Sequence, residues 1–309
     1  MNPEKTMTTR RRFMQYSLCA SSALLLEAML PRLVLAQAGM LRRQIPSTGE
    51  QLPVIGLGTA DTFNVESTPQ ALKPLADVLD RLFQAGGTVI DTAPSYEKSQ
   101  GVIGTLLAQQ GRAEKAFLAT KVEGRESSIE EIQQEMADLK GAPIDLLQVH
   151  SMINYKTLLP LLREMKQQKM IRYVGITHHS EMAQDQMMDL VASEPMDFIQ
   201  INLNPQDTKA EERLLPLCQD KGVAVMINRP FLDGRLFNQV AGKQLPAFAS
   251  DIGCASWAQL MIKYSISHPA VTCIIPATSN PAHMAENALA GTGELPDESM
   301  RKRIAEYFQ

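Results

Sequence analysis

From Leu52 onward the chain repeats one pattern, a short run of apolar and often β-branched residues followed by a longer segment whose apolar positions recur every three to four residues. Eight such pairs can be counted. The short runs predict strands over 54–58, 88–91, 116–121, 144–150, 171–177, 198–202, 224–228 and 272–276. The longer segments predict helices near 70–85, 98–110, 128–140, 155–168, 181–193, 210–221, 256–267 and 281–290. Several carry start signals, such as Ser128 with Glu131 three residues on, and Thr68 followed by Pro69.

Strands separated by helices run parallel, because the crossover helix returns the chain to the same end of the sheet. Eight units, in about 270 residues, predict an α/β fold of the closed (β/α)8, or TIM, barrel type. An open doubly wound sheet is disfavoured: Gly56-Leu57-Gly58 leads into Thr59-Ala60-Asp61 without the third glycine of a dinucleotide fingerprint. Ahead of the first barrel strand, the polar turn Ser47-Thr48-Gly49-Glu50 between two short apolar runs predicts a β-hairpin capping the barrel bottom. After the eighth unit, Leu295-Pro296-Asp297 opens one more helix with Met300, Ile304 and Phe308 on one stripe. The loops after Lys121, His150 and Asn228 read as short, which predicts an open site, with no long C-terminal loop to cover a substrate.

In such a barrel chemistry is built at the C-terminal ends of the strands, so polar residues closing apolar runs carry weight. Strand two ends in Asp91 within I-D-T-A-P-S-Y, with Tyr96 five residues on; strand three ends in Lys121, and strand four in His150. Singly, each reads more simply as a cap, an ion-pair partner or a satisfied wall residue. Together, at the same end of three consecutive strands, they make a proton-donor assembly. A lysine ammonium beside a phenol stabilises phenolate and is expected to lower the Tyr96 pKa from its usual value near 10. Asp91 would hold Lys121 charged, and a neutral His150 would orient and polarise a carbonyl oxygen.

Composition narrows the function classes. Lys and Arg total 30 against 34 Asp and Glu, a net charge of −4, without the cationic surplus that nucleic-acid binding needs. The four cysteines, Cys19, Cys218, Cys254 and Cys273, have no C-x-x-C spacing and support neither a zinc site nor a disulfide scaffold; the last three read as core residues. The N-terminus is different in kind. T-R-R-R-F-M-Q at 9–15, the apolar stretch 16–26 and the small-x-small site Ala36-Gln37-Ala38 resemble a twin-arginine export signal. Glu27, Pro31 and Arg32 interrupt the segment before about 20 apolar residues accumulate, so no stable membrane span is expected. The organisation expected is therefore a signal peptide over 1–38 and one barrel over 39–309, exported to the periplasm by the twin-arginine machinery after folding. Losing residues 1–38 would shift the net charge to −7.

The Asp91, Tyr96, Lys121 and His150 set, together with L-P-V-I-G-L-G-T, I-D-T-A-P-S-Y, V-G-I-T-H and I-I-P-A-T-S-N-P-A-H-M-A-E-N, resembles the aldo/keto reductase superfamily over nearly the whole chain after residue 38. That resemblance implies hydride transfer from a nicotinamide cofactor, bound without a Rossmann domain, to a small-molecule aldehyde or ketone, with Tyr96 as general acid. It further implies that Thr59 and Asp91 lie near the nicotinamide ribose and that Gln200 binds the carboxamide. Thr177 and His178 stand where the family usually has Ser and Asn. Asn228 stands where many members have an aromatic residue that stacks on the nicotinamide, and the neighbouring Arg229 either contacts the pyrophosphate or pairs with a carboxylate. Near the adenosine end, Thr278, Ser279, Asn280 and His283 replace the common cationic side chains, while Glu286 and Asn287 match the adenine contacts. The resemblance thus leans slightly to NADP(H), with NAD(H) possible.

A second class of function, an exported nicotinamide-binding barrel with a sensor role and little turnover, is motivated by location, since no soluble pool of reduced cofactor is expected outside the cytoplasm. A metal-dependent hydrolase would need convergent His and carboxylate ligands. His178-His179 comes without a carboxylate or Cys cluster, so no metal site is expected.

Overall fold

The computed structural model describes residues 39–308; the signal expected over 1–38 lies outside the described residues. A hairpin of β1 (Arg42–Gln44) and β2 (Gln51–Pro53) is followed by eight barrel strands: β3 (Leu57–Gly58), β4 (Val89–Asp91), β5 (Phe117–Val122), β6 (Ile144–Val149), β7 (Ile171–Thr177), β8 (Phe198–Asn202), β9 (Ala224–Asn228) and β10 (Val271–Ile274). The eight pair in sequence order, all in parallel. Closure comes from parallel bridges between Ile55 and Ile274 and between Gly58 and Ala277. Seven helices follow strands on the outside: α1 (Pro69–Gln84), α2 (Ser99–Gln110), α3 (Ile129–Glu135), α4 (Tyr155–Gln167), α5 (Gln184–Ser193), α6 (Leu214–Lys221) and, after a longer excursion, α8 (Trp257–Ile266); α9 (Pro281–Leu289) follows β10. This is the (β/α)8 barrel that the eight-fold repeat predicts.

Alternation along the strands sorts two cores. Val89, Phe117, Leu146, Tyr173, Phe198, Met226 and Cys273 point inward and fill the barrel, and Ile45 and Leu52 of the hairpin plug its lower end. The intervening residues face the helices in the larger outer core. Arg43 ties the hairpin to the end of α8 by donating to the carbonyls of Ile266 (2.9 Å) and Pro269 (3.0 Å). Helix starts follow the sequence signals: Thr68 accepts from Ala71 N, and Ser128 accepts from Glu131 N. The strand expected over 54–58 pairs as a ladder only at Leu57–Gly58, and there Gly56 is needed, since a Cβ on it would lie 2.8 Å from the Val89 carbonyl oxygen. The helix expected over 128–140 gives way after Glu135 to a 3-10 turn, Met136–Leu139, ended by Lys140 and Gly141 at positive φ.

The loop after Asn228 is not short. It runs to Ser256 and carries α7 (Arg235–Val240) and a 3-10 helix, Ala247–Ile252. A third core holds it down, in which Leu236, Val240, Phe248 and Ile252 pack with Ile304 and Phe308 from α10 (Glu298–Ala305) and the turn after it. The C-terminal helix therefore supports a cover on the barrel. Lys263, nearly fully buried, secures the same region by donating to the carbonyls of Ile252 (2.8 Å), Thr292 (2.7 Å) and Glu294 (2.5 Å). A Lys263→Met substitution would leave those carbonyls unpaired and is expected to destabilise the fold by about 2–4 kcal/mol, measured by thermal or denaturant unfolding.

Cys218, Cys254 and Cys273 are all buried and unpaired by disulfides, as read from the sequence. Burial pushes the Cys218 and Cys254 thiols up to about 12 and about 11, far from the thiolate that reacts.

Candidate active site

The inward positions turn polar at the upper layer of the barrel. Asp91 on β4, Lys121 on β5, Gln148 on β6 and Gln200 on β8 meet there, each fully or almost fully buried. The Lys121 Nζ donates to Asp91 Oδ2 at 2.7 Å and to the Thr92 carbonyl at 2.8 Å. Gln200 Nε2 donates to Asp91 Oδ1 at 2.8 Å, with Gln148 Nε2 at 3.3 Å. Every oxygen of the carboxylate is thus satisfied in a dry setting, where an unpaired charge would be costly. Burial pulls the Lys121 ammonium down, but Asp91 and Tyr96 outweigh it and hold the group above its ordinary value. Lys121 lies one residue before the end of its strand, beneath the cavity floor.

Tyr96 sits on the loop after β4, with the Lys121 ammonium 4.8 Å from its ring centroid. The direction of its pKa departs from the sequence expectation. Burial pushes the phenol up and outweighs the Lys121 ammonium, and the carboxylates of Asp91 and Glu123 add to the rise, so Tyr96 stays above 10. At neutral pH the phenol keeps its proton.

His150 stands edge-on to Tyr96, with ring centroids 6.1 Å apart. Its Nδ1 lies 2.7 Å from Glu123 Oε2, a carboxylate partner that the sequence reading did not give it. The second Glu123 oxygen accepts from the Ser95 hydroxyl (2.8 Å) and backbone N–H (3.3 Å). Sequence reasoning missed Glu123, Ser95 and Gln148.

A cavity of about 620 Å³ opens above this group, lined by Thr59, Asp91, Tyr96, His150, Thr177, His178, Gln200, Asn228 and Arg229. The structure brings these predicted residues together. Phe231, Asp233 and Phe237 of the long loop after β9 form part of its wall, which corrects the open site expected from short loops. Thr59 is held by its N–H and hydroxyl on the Asp91 carbonyl, at 3.1 and 2.9 Å. Thr177 and Asn228 both donate to Gln200 Oε1, at 3.2 and 3.3 Å. His178 Nδ1 accepts from Ser180 N at 3.0 Å, which leaves Nε2 as the nitrogen carrying a hydrogen in the neutral ring. Arg229 pairs with Asp233 through both nitrogens of its fork, so of its two sequence readings the carboxylate partner is the one observed.

A second cavity of about 420 Å³ adjoins the first, sharing Phe231, Phe237 and Ala277, and is lined by Trp257, Thr278, His283, Glu286 and Asn287. Ser279 and Asn280 border neither cavity. Asn280 instead caps α9, its Oδ1 accepting from Ala282 N at 2.9 Å, and the Thr278 hydroxyl accepts from Asn280 N at 3.1 Å. Among the described residues no group of three or more His, Cys, Asp or Glu is arranged to hold a metal, and no helix is long and apolar enough to cross a membrane.

The closed barrel thus carries a buried Asp-Lys pair beneath a tyrosine and opens on two joined cavities. The aldo/keto reductase family model matches residues 54–306, and the chain belongs to that family. It is 26% identical over 200 residues to the aldo-keto reductase YhdN of Bacillus subtilis (strain 168), a match spanning 59% of this chain and 60% of that protein. It is 26% identical over 203 residues to the NADH-specific methylglyoxal reductase of Escherichia coli (strain K12), spanning 56% of this chain and 61% of the relative. The match thus spans about three fifths of either relative's length. Among solved structures, an aldo-keto reductase from Klebsiella pneumoniae in complex with NADPH superposes with a TM-score of 0.71 at 20% identity, covering 86% of this chain and 95% of that one. At that identity the likeness carries the fold.

Proposed function

We propose that the protein reduces an aldehyde or ketone with a nicotinamide cofactor, Tyr96 acting as general acid. The observation that carries the reading is the buried Asp91-Lys121 pair at 2.7 Å, set directly beneath Tyr96 at the cavity floor. The fit to a nicotinamide rests on this chain's own donors and acceptors. Asn228 Oδ1 is buried without a hydrogen-bond partner, an acceptor suited to a carboxamide N–H, and His178 lines the same cavity with an N–H on Nε2. When bound, the cofactor supplies the hydride. Tyr96 gives its phenolic proton to the carbonyl oxygen as negative charge develops there, Lys121 stabilises the phenolate left behind, and Asp91 keeps Lys121 charged and in place. His150 faces the same space and orients the oxygen.

The second cavity suits the adenosine end, and its lining bears on which cofactor is used. No Lys or Arg is among its described lining residues, and Glu286 is acidic, so the lean of the sequence toward NADP(H) finds no cation to pair with a 2'-phosphate. NADH is expected to bind at least as tightly as NADPH. Trp257, the single tryptophan of the chain, lines this cavity and makes the test direct. Titration of the full chain with either cofactor should quench its fluorescence, and a Trp257 signal unmoved by both would remove the cofactor site. NADPH binding tenfold tighter than NADH would overturn the preference.

We further propose that residues 1–38 direct export to the periplasm by the twin-arginine route, on the strength of the Arg10-Arg11-Arg12-Phe13 run. Replacing the three arginines by lysine should leave the protein in the cytoplasmic fraction. Equal periplasmic recovery of that variant would contradict the assignment.

A further inference from the structure

Glu123 is a residue that the reaction outlined above does not require, yet the fold holds it with unusual care. On β5 the side chains of Phe117 and Ala119 point into the barrel core, and Lys121 continues that face to the catalytic layer. The two-residue period carries the same face on to position 123, one step beyond the strand, at the barrel rim. Its backbone is fixed from below: the buried Glu126 carboxylate accepts from Glu123 N at 3.2 Å and Gly124 N at 2.9 Å. Gly124 has φ of +91°, and a Cβ there would lie 2.4 Å from Ile153, so the loop after β5 is pressed against the loop that follows His150. From that fixed point the Glu123 carboxylate bridges two catalytic loops, accepting from Ser95, which precedes Tyr96, and lying 2.7 Å from His150 Nδ1.

We propose that Glu123 is a positioning residue that fixes the hydrogen of His150 on Nδ1, so that the ring can present an N–H to the carbonyl oxygen from Nε2 only as the imidazolium. An ionised carboxylate has acceptors and no donor, so the short contact places the shared hydrogen on the nitrogen. Burial pushes the Glu123 carboxyl up, but hydrogen bonds and charge from His150, with those from Ser95, outweigh it and keep the group below the ordinary carboxylate range. The other groups that face His150 are the Ser95 hydroxyl, 3.4 Å from Nδ1 and already donating to Glu123, Tyr96 from the β4 loop, and the stacked pair His178 and His179 from the β7 loop, whose ring centroids lie 5.2 Å apart. The consequence is a carbonyl-orienting donor that carries positive charge when it acts, beside the phenol that gives up its proton.

This inference rests on the reductase reading, and two measurements separate their failures. Nitrogen-detected NMR of the full chain, with His150→Gln to assign the signals among the five histidines, reports which ring nitrogen bears the hydrogen. The wild-type His150 is expected to keep a hydrogen on Nδ1 throughout a pH titration while only Nε2 gains or loses one; a neutral ring with hydrogen on Nε2 instead would overturn the proposal. Glu123→Gln keeps the shape of the side chain but no longer forces that placement. It should lower kcat about 10- to 100-fold, with the KM for NADH and the melting temperature near those of the wild type. Unchanged kcat in Glu123→Gln, in an enzyme whose wild type turns over, would also overturn the proposal. Absence of turnover in the wild type would fall on the reductase reading, and the NMR result would still decide the place of the hydrogen.

Discussion

Tyr96→Phe is expected to lower kcat for carbonyl reduction by roughly 10²- to 10⁴-fold, the range that a positioned proton donor contributes, while cofactor affinity stays at its wild-type value. The substitution removes one oxygen and keeps the ring that packs against Lys121 and His150. The Lys121 bonds to Asp91 and Thr92 and the Gln148 and Gln200 bonds to Asp91 do not use the phenol, so the network that holds the upper layer stays in place. Because burial holds the Tyr96 phenol above its ordinary value, the proton remains available at neutral pH and is lost only on the alkaline side. Steady-state kinetics with cofactor titration in parallel check both halves, and a Tyr96→Phe variant with wild-type kcat would remove the tyrosine from the mechanism.

The second large effect is structural as well as catalytic. Lys121→Met leaves the Asp91 carboxylate buried with only the amide donors of Gln148 and Gln200, and is expected to cost about 3–5 kcal/mol of stability. For a chain of this size that corresponds to a fall in melting temperature of roughly 6–20 °C. The double variant Asp91→Asn with Lys121→Met removes the stranded charge and should regain much of the stability without regaining activity. The folded Lys121 pKa is raised, so its contribution is fully present below the unfolded value near 10.4 and is lost only as pH rises through the higher folded value. The stability gap between wild type and Lys121→Met should therefore be constant from neutral to mildly alkaline pH. A gap of less than 1 kcal/mol by denaturant unfolding would mean that the pair is not the keystone of the upper layer.

Most of the site that was legible in the sequence sits on the inward face of a strand within an apolar run. Asp91, Lys121, Gln200 and Asn228 each stand there, where a polar residue must be partnered by its neighbours around the barrel, and His150, one step past its strand, directly closes an apolar run. Glu123 escaped notice because it lies past the strand, and in V-E-G-R-E-S it reads as one acid of a solvated loop. Counting by two from Phe117 through Lys121 would have found it. The cover after β9 was missed for another reason: G-R-L-F-N-Q-V-A-G is a short helix bounded by glycines, and its apolar residues gain a partner only when the C-terminal helix returns to them. The pKa of Tyr96 was misjudged because a sequence shows which charges are neighbours but not how deeply the phenol is buried, and burial is the larger effect. Asn280 shows the reverse limit. Its place before Pro281 suits a helix cap as well as a phosphate contact; the structure shows the cap, accepted from Ala282 N, and sequence position alone does not separate the two roles.

Single-turnover reduction by the full chain, using NADH and then NADPH deuterated at the hydride-donating carbon against a panel of short aldehydes and ketones, tests the central claim most directly. The account predicts an alcohol carrying deuterium on the former carbonyl carbon, formed by the wild type and not by Tyr96→Phe on the same timescale. Tight cofactor binding with no deuterium transferred to any carbonyl would contradict it and leave a nicotinamide-binding barrel that does not reduce.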